Sequence, residues 1–280
     1  IRRMNRLLFL LFLFVSCSSP ELKKPAINAV SLEEHLPAVK TISDAVDSTV
    51  RIDFGLAVGS GFVIGYKLDL VTRNYYYEIL SAGHIFSDGY PYDSVSPVEV
   101  TFFIDKKKKR FLGTVEKLDP VLDLAIIKVF DLTGNKPLCK IFEIDSGIEY
   151  LDYTTEVSII GYPQGIGPIV TRGHISGIEM LAWDKESFLT TAQSAPGNSG
   201  GPVVDLKTGH VIGLLRAVLL NPSGEIMTWC SVVTPASRLL KFLGEYYSNS
   251  YPYYIKPIET SRGASFTPEG SFLVFIPSGK

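Results

Sequence analysis

Ser194-Ala195-Pro196-Gly197-Asn198-Ser199-Gly200-Gly201-Pro202 sets one serine inside a run of glycines and prolines, and the rest of the chain is read outward from it. Gly197, Gly200 and Gly201 can take backbone angles that side chains forbid, so amide N–H groups on both sides of Ser199 can turn inward. Acyl transfer needs that arrangement. A hydroxyl is a poor nucleophile by itself, and the oxyanion it generates needs preorganised donors, here the N–H groups of Gly197 and Ser199 with Asn198 between them. The competing reading is an ordinary Gly/Pro turn with Ser199 as a turn serine, which would suffice for Asn-Ser-Gly alone.

Pro196 to Pro202 resembles the nucleophile loop of trypsin-like serine peptidases, and its Pro-Gly-Asn form is similar to the bacterial HtrA/Deg branch. That resemblance requires a histidine and an aspartate upstream, in that order. Ile79-Leu80-Ser81-Ala82-Gly83-His84-Ile85 reads as a buried strand ending in small residues and resembles the family's general-base motif, with His84 as base. Asp119-Pro120-Val121-Leu122-Asp123-Leu124-Ala125 resembles the segment of the third member and implies that Asp123 orients the imidazole. The order His84, Asp123, Ser199 is that of chymotrypsin and differs from those of subtilisin and the α/β-hydrolases. An imidazole titrating near neutrality can take the serine proton and return it to the leaving amine, while a carboxylate fixes its tautomer.

Rivals for these roles are few. His35 lies in a polar N-terminal segment, and His174 and His210 follow Arg172-Gly173 and Thr208-Gly209 in expected turns. Asp119 competes with Asp123, but Asp-Pro commonly starts a turn, and the family register selects the aspartate directly before Leu-Ala.

A hydrophobic fraction of 46% and a net charge of −2 over 280 residues fit an ordinary globular protein and exclude a disordered or nucleic-acid-binding one. Met4 is the expected initiator. After Arg6 comes the apolar run Leu7 to Val15, then Ser16-Cys17-Ser18-Ser19-Pro20. The run is far short of the ~20 residues a spanning helix needs, and its basic flank and small-residue exit read as a secretory signal over 1–16. Phe14-Val15-Ser16-Cys17 resembles the lipobox of bacterial lipoproteins, which implies lipid on Cys17, a membrane-held protein, and an envelope location facing the periplasm in a Gram-negative cell. Residues 17–43 have the composition of a tether, with a short helix expected from Ser31 through Val39 on a Ser31/Glu34 capping box.

From Asp44 the pattern changes to short β-rich runs bounded by turn residues, as in a barrel or sandwich. Val58-Gly59-Ser60-Gly61-Phe62 resembles the family's opening strand, and Val157 to Gly165 its second-barrel start. The resemblance spans 44–246 and implies an all-β fold of two six-stranded antiparallel barrels, about 44–135 and 150–235, with a closing helix over 236–246. Within the first, Val98 to Ile104 and Arg110 to Leu118 read as a hairpin. Lys106-Lys107-Lys108-Lys109-Arg110 is then a solvated tip that blocks edge pairing. The stretch 247–280, rich in Tyr, Pro and Ser, is shorter than the PDZ domain typical of HtrA/Deg enzymes, and its role stays open.

By family register the substrate pocket is lined by Gln193, Ser194, Leu215, Arg216 and Ala217. With no acidic residue at its base, cleavage is expected after small or medium apolar residues. Arg216 departs from the small polar or apolar residue usual in the family; it either favours an acidic substrate side chain or points outward. Neither a cofactor nor a metal is implied, the substrates are polypeptides, and a homo-oligomer is compatible with the family. Cys139 and Cys230 are far apart in sequence, and pairing between them is left open. Two functions remain: a serine endopeptidase working through an acyl-enzyme in extracytoplasmic quality control, and a catalytically silent relative that binds unfolded chains.

Overall fold

The computed structural model describes residues 32–33, 37–86, 97–131, 137–145, 152–178, 184, 186–220 and 223–250. The signal segment 1–16, Cys17, His35 and the stretch 251–280 lie outside the described residues. Thirteen strands and two helices follow in order: β1 (Leu32–Glu33), α1 (Ile42–Asp47), β2 (Thr49–Phe54), β3 (Ala57–Leu68), β4 (Tyr75–Ala82), β5 (Val98–Ile104), β6 (Lys107–Asp119), β7 (Leu124–Asp131), β8 (Glu156–Gly161), β9 (Ile169–Ile178), β10 (Phe188–Thr190), β11 (Pro202–Asp205), β12 (Val211–Leu220), β13 (Ile226–Pro235) and α2 (Ala236–Ser250).

The strands close into two six-stranded antiparallel barrels, the fold the sequence implies. In the first the order is β3-β2-β5-β6-β7-β4, sealed by β3 against β4, with β1 paired to the far end of β3. In the second it is β10-β13-β12-β11-β8-β9, sealed by β9 against β10. Closure removes the free edges that make open sheets prone to aggregation. Period-two alternation on β2 and β5 sends Val50, Ile52, Val100 and Phe102 into the first core. There the rings of Tyr66, Tyr77 and Phe102 pack in series at tilted angles, with centroids 4.7 and 5.1 Å apart. Val157, Ile159, Phe188, Ile212, Leu215 and Val233 fill the second core.

Helix α2 leaves barrel two and lays Leu239, Phe242, Leu243 and Tyr246 into a core cluster that combines the barrel-one core with Ile160, Val204, Val211 and Leu214 of barrel two. It runs past Tyr246 to Ser250, beyond the expected end. Near that end the Tyr247 hydroxyl donates to the buried Glu78 carboxylate at 2.8 Å, and Lys67 Nζ lies 2.7 Å from the same carboxylate. The helix therefore ties the two barrels together at the back of the molecule.

Two local expectations are corrected. The chain is extended at Leu32–Glu33 and non-helical from 37 to 40, and the short helix begins instead at Ile42, where Thr41 and Asp44 form the capping box. The lysine-rich run is mostly strand. Asp105 and Lys106, with φ of 51° and 60°, make the two-residue turn, and Lys107 already pairs with Ile104. A turn with both central residues at positive φ matches the twist of the flanking strands, so the second strand begins at Lys107, three residues earlier than the expected Arg110.

At the front, the barrels meet backbone to backbone around Ser60 of β3. Its N–H donates to the Ser199 carbonyl at 2.8 Å and its hydroxyl to the Gly197 carbonyl at 2.7 Å. The same hydroxyl accepts the Tyr162 N–H at 2.9 Å, and the Ser60 carbonyl accepts the Ser81 hydroxyl at 2.7 Å. Only glycine fits opposite. Gly200 sits at φ 86°, and a Cβ there would lie 2.1 Å from the Ser60 carbonyl oxygen. Ser60 is fully buried, so Ser60→Ala orphans the Gly197 carbonyl and the Tyr162 N–H away from water. A loss of about 2 kcal/mol in unfolding free energy is expected from urea denaturation, with little change in secondary structure.

Candidate active site

His84 follows β4 in a single 3-10 turn, Gly83–Phe86, and Asp123 ends the turn between β6 and β7. These strands flank one another, since β4 pairs with β7 along its length, with Ala82 opposite Leu124. Neighbouring strand ends thus bring histidine and aspartate together. Two backbone bonds fix the meeting: Gly83 N–H donates to the Asp123 carbonyl at 3.0 Å, and His84 N–H donates to Asp123 Oδ1 at 2.7 Å. Asp123 adopts φ 57°, a left-handed angle that a short polar side chain tolerates better than most.

The imidazole Nδ1 lies 3.0 Å from Asp123 Oδ2 and 3.1 Å from Oδ1. An ionised carboxylate only accepts, so Nδ1 carries the hydrogen, and Nε2 is left with a lone pair to receive a proton. Asp119 is engaged otherwise, accepting the N–H groups of Val121 and Leu122 at 2.9 Å each in a side-chain turn. His174 and His210 sit on the surface beside Glu156 and Glu143, at 3.6 and 3.1 Å.

Ser199 arrives from barrel two on the loop before β11. It lines, with His84 and Asp123, an open cleft of about 430 Å³ between the barrels. Its hydroxyl makes a long contact of 3.4 Å to the Arg216 carbonyl. The oxyanion loop is set by its own hydrogen bonds. Gln164 N–H donates to the Pro196 carbonyl at 2.8 Å, and in a trans peptide that turns the Gly197 N–H the opposite way. Gly197 needs its freedom for this, with φ 98°. Among the described residues the N–H groups of Gly197 and Ser199 have no protein acceptor, whereas Asn198 N–H is spent on the Ala195 carbonyl at 3.0 Å. Two of the three expected donors are therefore free for a ligand oxygen, and the middle one is not.

Of the expected pocket residues, Ser194, Leu215, Arg216 and Ala217 line the cleft, joined by Val218 and Ile226. Gln193 does not. Alternation along 192–194 buries Ala192 and Ser194 and leaves Gln193 exposed, its carbonyl taken by the Thr171 hydroxyl at 2.7 Å. Next to Ser194 of the cleft lining, the buried Ser231 hydroxyl donates to the Ala192 carbonyl at 2.8 Å. It must then accept from Ser194 Oγ at 2.6 Å, because each hydroxyl has one proton.

Arg216 follows neither sequence expectation. Its Nε lies 3.4 Å from Asp123 Oδ2 and its Nη1 donates to Asp184 Oδ2 at 2.8 Å. Asp184, buried, is gripped from its other side by both Nη atoms of Arg238 at 2.7 and 2.8 Å, and Arg238 Nε reaches Glu186 at 2.6 Å. Burial pushes the Asp184 carboxyl up, but the bonds from Arg238 and Ser187 outweigh it and hold it down at about 2. A lowered carboxyl of this kind stabilises the fold above the ordinary aspartate range and loses that contribution as pH falls toward 2. Neither Asp184 nor Arg238 carries a local sequence signal, because their partners lie 32 and 54 residues away. Cys139 and Cys230 are free thiols, and burial pushes the Cys139 thiol up to about 12. Among the described residues no three His, Cys, Asp or Glu side chains gather as metal ligands would.

Comparison with known proteins agrees with this geometry. Residues 59–214, more than half of the chain, match the trypsin-like peptidase domain. The "Probable periplasmic serine endoprotease DegP-like" of Brucella suis is 34% identical over 172 residues, which is 60% of this chain and 29% of that protein. The "Putative serine protease HhoA" of Synechocystis is 30% identical over 59% of this chain and 38% of its own length. The "Periplasmic serine endoprotease DegP" of Salmonella typhimurium is 28% identical over 61% and 32%. The chain spans roughly a third of the length of these curated relatives. A two-barrel fold, a cleft holding His84, Asp123 and Ser199, and a match over 59–214 lead to one assignment: the chain belongs to the trypsin-like peptidase domain family.

Proposed function

We propose that the protein is a serine endopeptidase that hydrolyses peptide bonds through an acyl-enzyme on Ser199. The observation that carries this reading is the meeting of His84 and Asp123 with Ser199 in one inter-barrel cleft, beside two uncommitted N–H groups at Gly197 and Ser199. In the reaction His84 Nε2 takes the hydroxyl proton as Oγ attacks the scissile carbonyl, and Asp123 balances the imidazolium. The N–H groups of Gly197 and Ser199 receive the oxyanion. The imidazolium then hands its proton to the departing amine, and a water repeats the sequence in reverse to free the acid.

The decisive experiment is reaction with a fluorophosphonate probe, which labels a serine only where base and oxyanion donors are assembled. Wild type is expected to label and Ser199→Ala not to. His84→Ala and Ser199→Ala should each lower peptide turnover by about 10^3-fold or more without unfolding, and the double variant should be no worse than either. Folded wild type that resists the probe would leave the silent, chain-binding reading in its place.

The cleft supports a substrate class as well. Leu215, Ala217, Val218 and Ile226 make its lining mainly apolar, and the hydroxyl pair Ser194 and Ser231 carries no charge. A small or medium apolar side chain before the scissile bond suits such a pocket, and a lysine or arginine there finds no carboxylate beyond Asp123, which His84 and Arg216 already share. Digestion of a peptide library is expected to show that preference; dominant cleavage after basic residues would overturn it.

The site of action proposed is the cell envelope, in the turnover of damaged exported proteins. Supporting it are the signal-type segment 1–16, the cysteine at its exit, and two relatives whose names include "periplasmic". Cys17 is the proposed lipid attachment point. Metabolic labelling with an alkyne fatty acid should mark the wild-type chain and fail to mark Cys17→Ser.

A further inference from the structure

We propose that Arg216 is a positioning residue of this site: its guanidinium shares the Asp123 carboxylate with the imidazole of His84 and thereby sets the proton affinity of that imidazole. The inference rests on the peptidase reading for its consequence in catalysis, but its geometry and its test stand apart from turnover.

The backbone aims this side chain deliberately. Along β12, Leu215 pairs with Val233 and Ala217 with Val232, so Arg216 is the extra residue of a β-bulge. A bulge breaks the regular alternation and redirects one side chain. Here the redirected chain reaches Asp123 Oδ2, the same oxygen that lies 3.0 Å from His84 Nδ1. The guanidinium is held there from behind. Asp184 takes its Nη1, and Asp184 is itself fixed by the two-pronged grip of Arg238 and by the Ser187 hydroxyl at 2.8 Å. Arg216 is therefore the last cation in a line of alternating charges running from Glu186 through Arg238, Asp184 and Arg216 to Asp123.

A carboxylate beside a neutral imidazole favours its protonation. A fixed cation on the same carboxylate opposes it twice, by drawing on Oδ2 and by repelling the imidazolium directly. Asp123 from the β6–β7 turn meets His84 directly, Arg216 from β12 meets Asp123, and behind Arg216 stand Asp184 and Glu186 from the segment before β10 and Arg238 from α2. Arg216 is the cation nearest the shared oxygen in this line, with a side chain only 23% exposed, so solvent screens it incompletely. The imidazole stays neutral, and ready to act as base, further into the acid range than Asp123 alone would leave it. The same commitment to two carboxylates argues against Arg216 as a receptor for acidic substrate side chains.

The test follows the His84 ring by NMR through a pH titration of the full 280-residue chain in the Ser199→Ala background, where no self-cleavage can occur. Arg216→Gln is expected to raise the His84 midpoint by about one unit, and Arg216→Lys, which keeps the charge without the fork, to return part of the way. Arg238 still holds both oxygens of Asp184 in these variants, so the fold should persist. Asp184→Asn provides a second arm, since it strips the guanidinium of its own counter-charge and should lower the midpoint. Midpoints that do not move, or that move in the opposite directions, overturn the proposal. With Ser199 restored, the acid limb of the fluorophosphonate labelling rate should shift with the NMR midpoint. Absence of labelling together with a normal NMR shift defeats the peptidase reading alone.

Discussion

Everything at the front of this molecule depends on the fastening of Ser60 to the loop that carries Ser199. Two barrels closed on themselves can shift against one another, and a site divided between them needs a fixed relation to within a fraction of an ångström. Ser60 supplies it with an N–H and a hydroxyl placed on consecutive turns of the opposite loop, at Ser199 and Gly197. The cost of breaking these bonds is high because they are buried, where no water replaces them. Helix α2 does the complementary work behind, packing Phe242 and Tyr246 on barrel one while its root continues β13.

The line of charge through Arg216 adds a second link across the same seam, of different character. Ser60 joins backbone to backbone and fixes position. Arg216 joins a side chain of barrel two to the carboxylate that orients His84 in barrel one, so it couples geometry to protonation. Because Asp184 and Arg238 are buried or half-buried and mutually satisfied, the pair can anchor a third charge without leaving any member alone in a low-dielectric site.

What could be read from the sequence was whatever is written locally. The glycine-rich loop at Ser199, the small residues before His84 and the Asp123-Leu124-Ala125 step each depend on backbone constraints within a few positions, and they led to a fold that the structure bears out. The closing helix over 236–246 came with the family resemblance, and the structure places it at Ala236–Ser250. What was not legible depends on register or on distant partners. A single bulge decides where Arg216 points, and no local pattern announces a bulge. Asp184 and Arg238 look like surface charges until the fold brings them together. The expected helix after Ser31 rested on a capping signal that Thr41 and Asp44 also satisfy, ten residues later. Gln193 was placed by family register, and side-chain alternation turned it to solvent.

The two cysteines in the described core carry a consequence for how the chain matures. Cys139 and Cys230 sit in different parts of the structure as unbridged thiols, so among the described residues no disulfide staples the native state. Within the described barrels the shape is held by burial, hydrogen bonds and ion pairs, with no disulfide between these two thiols. The described barrels therefore ask no oxidoreductase to join Cys139 to Cys230, and a reductant finds no bond between them to break.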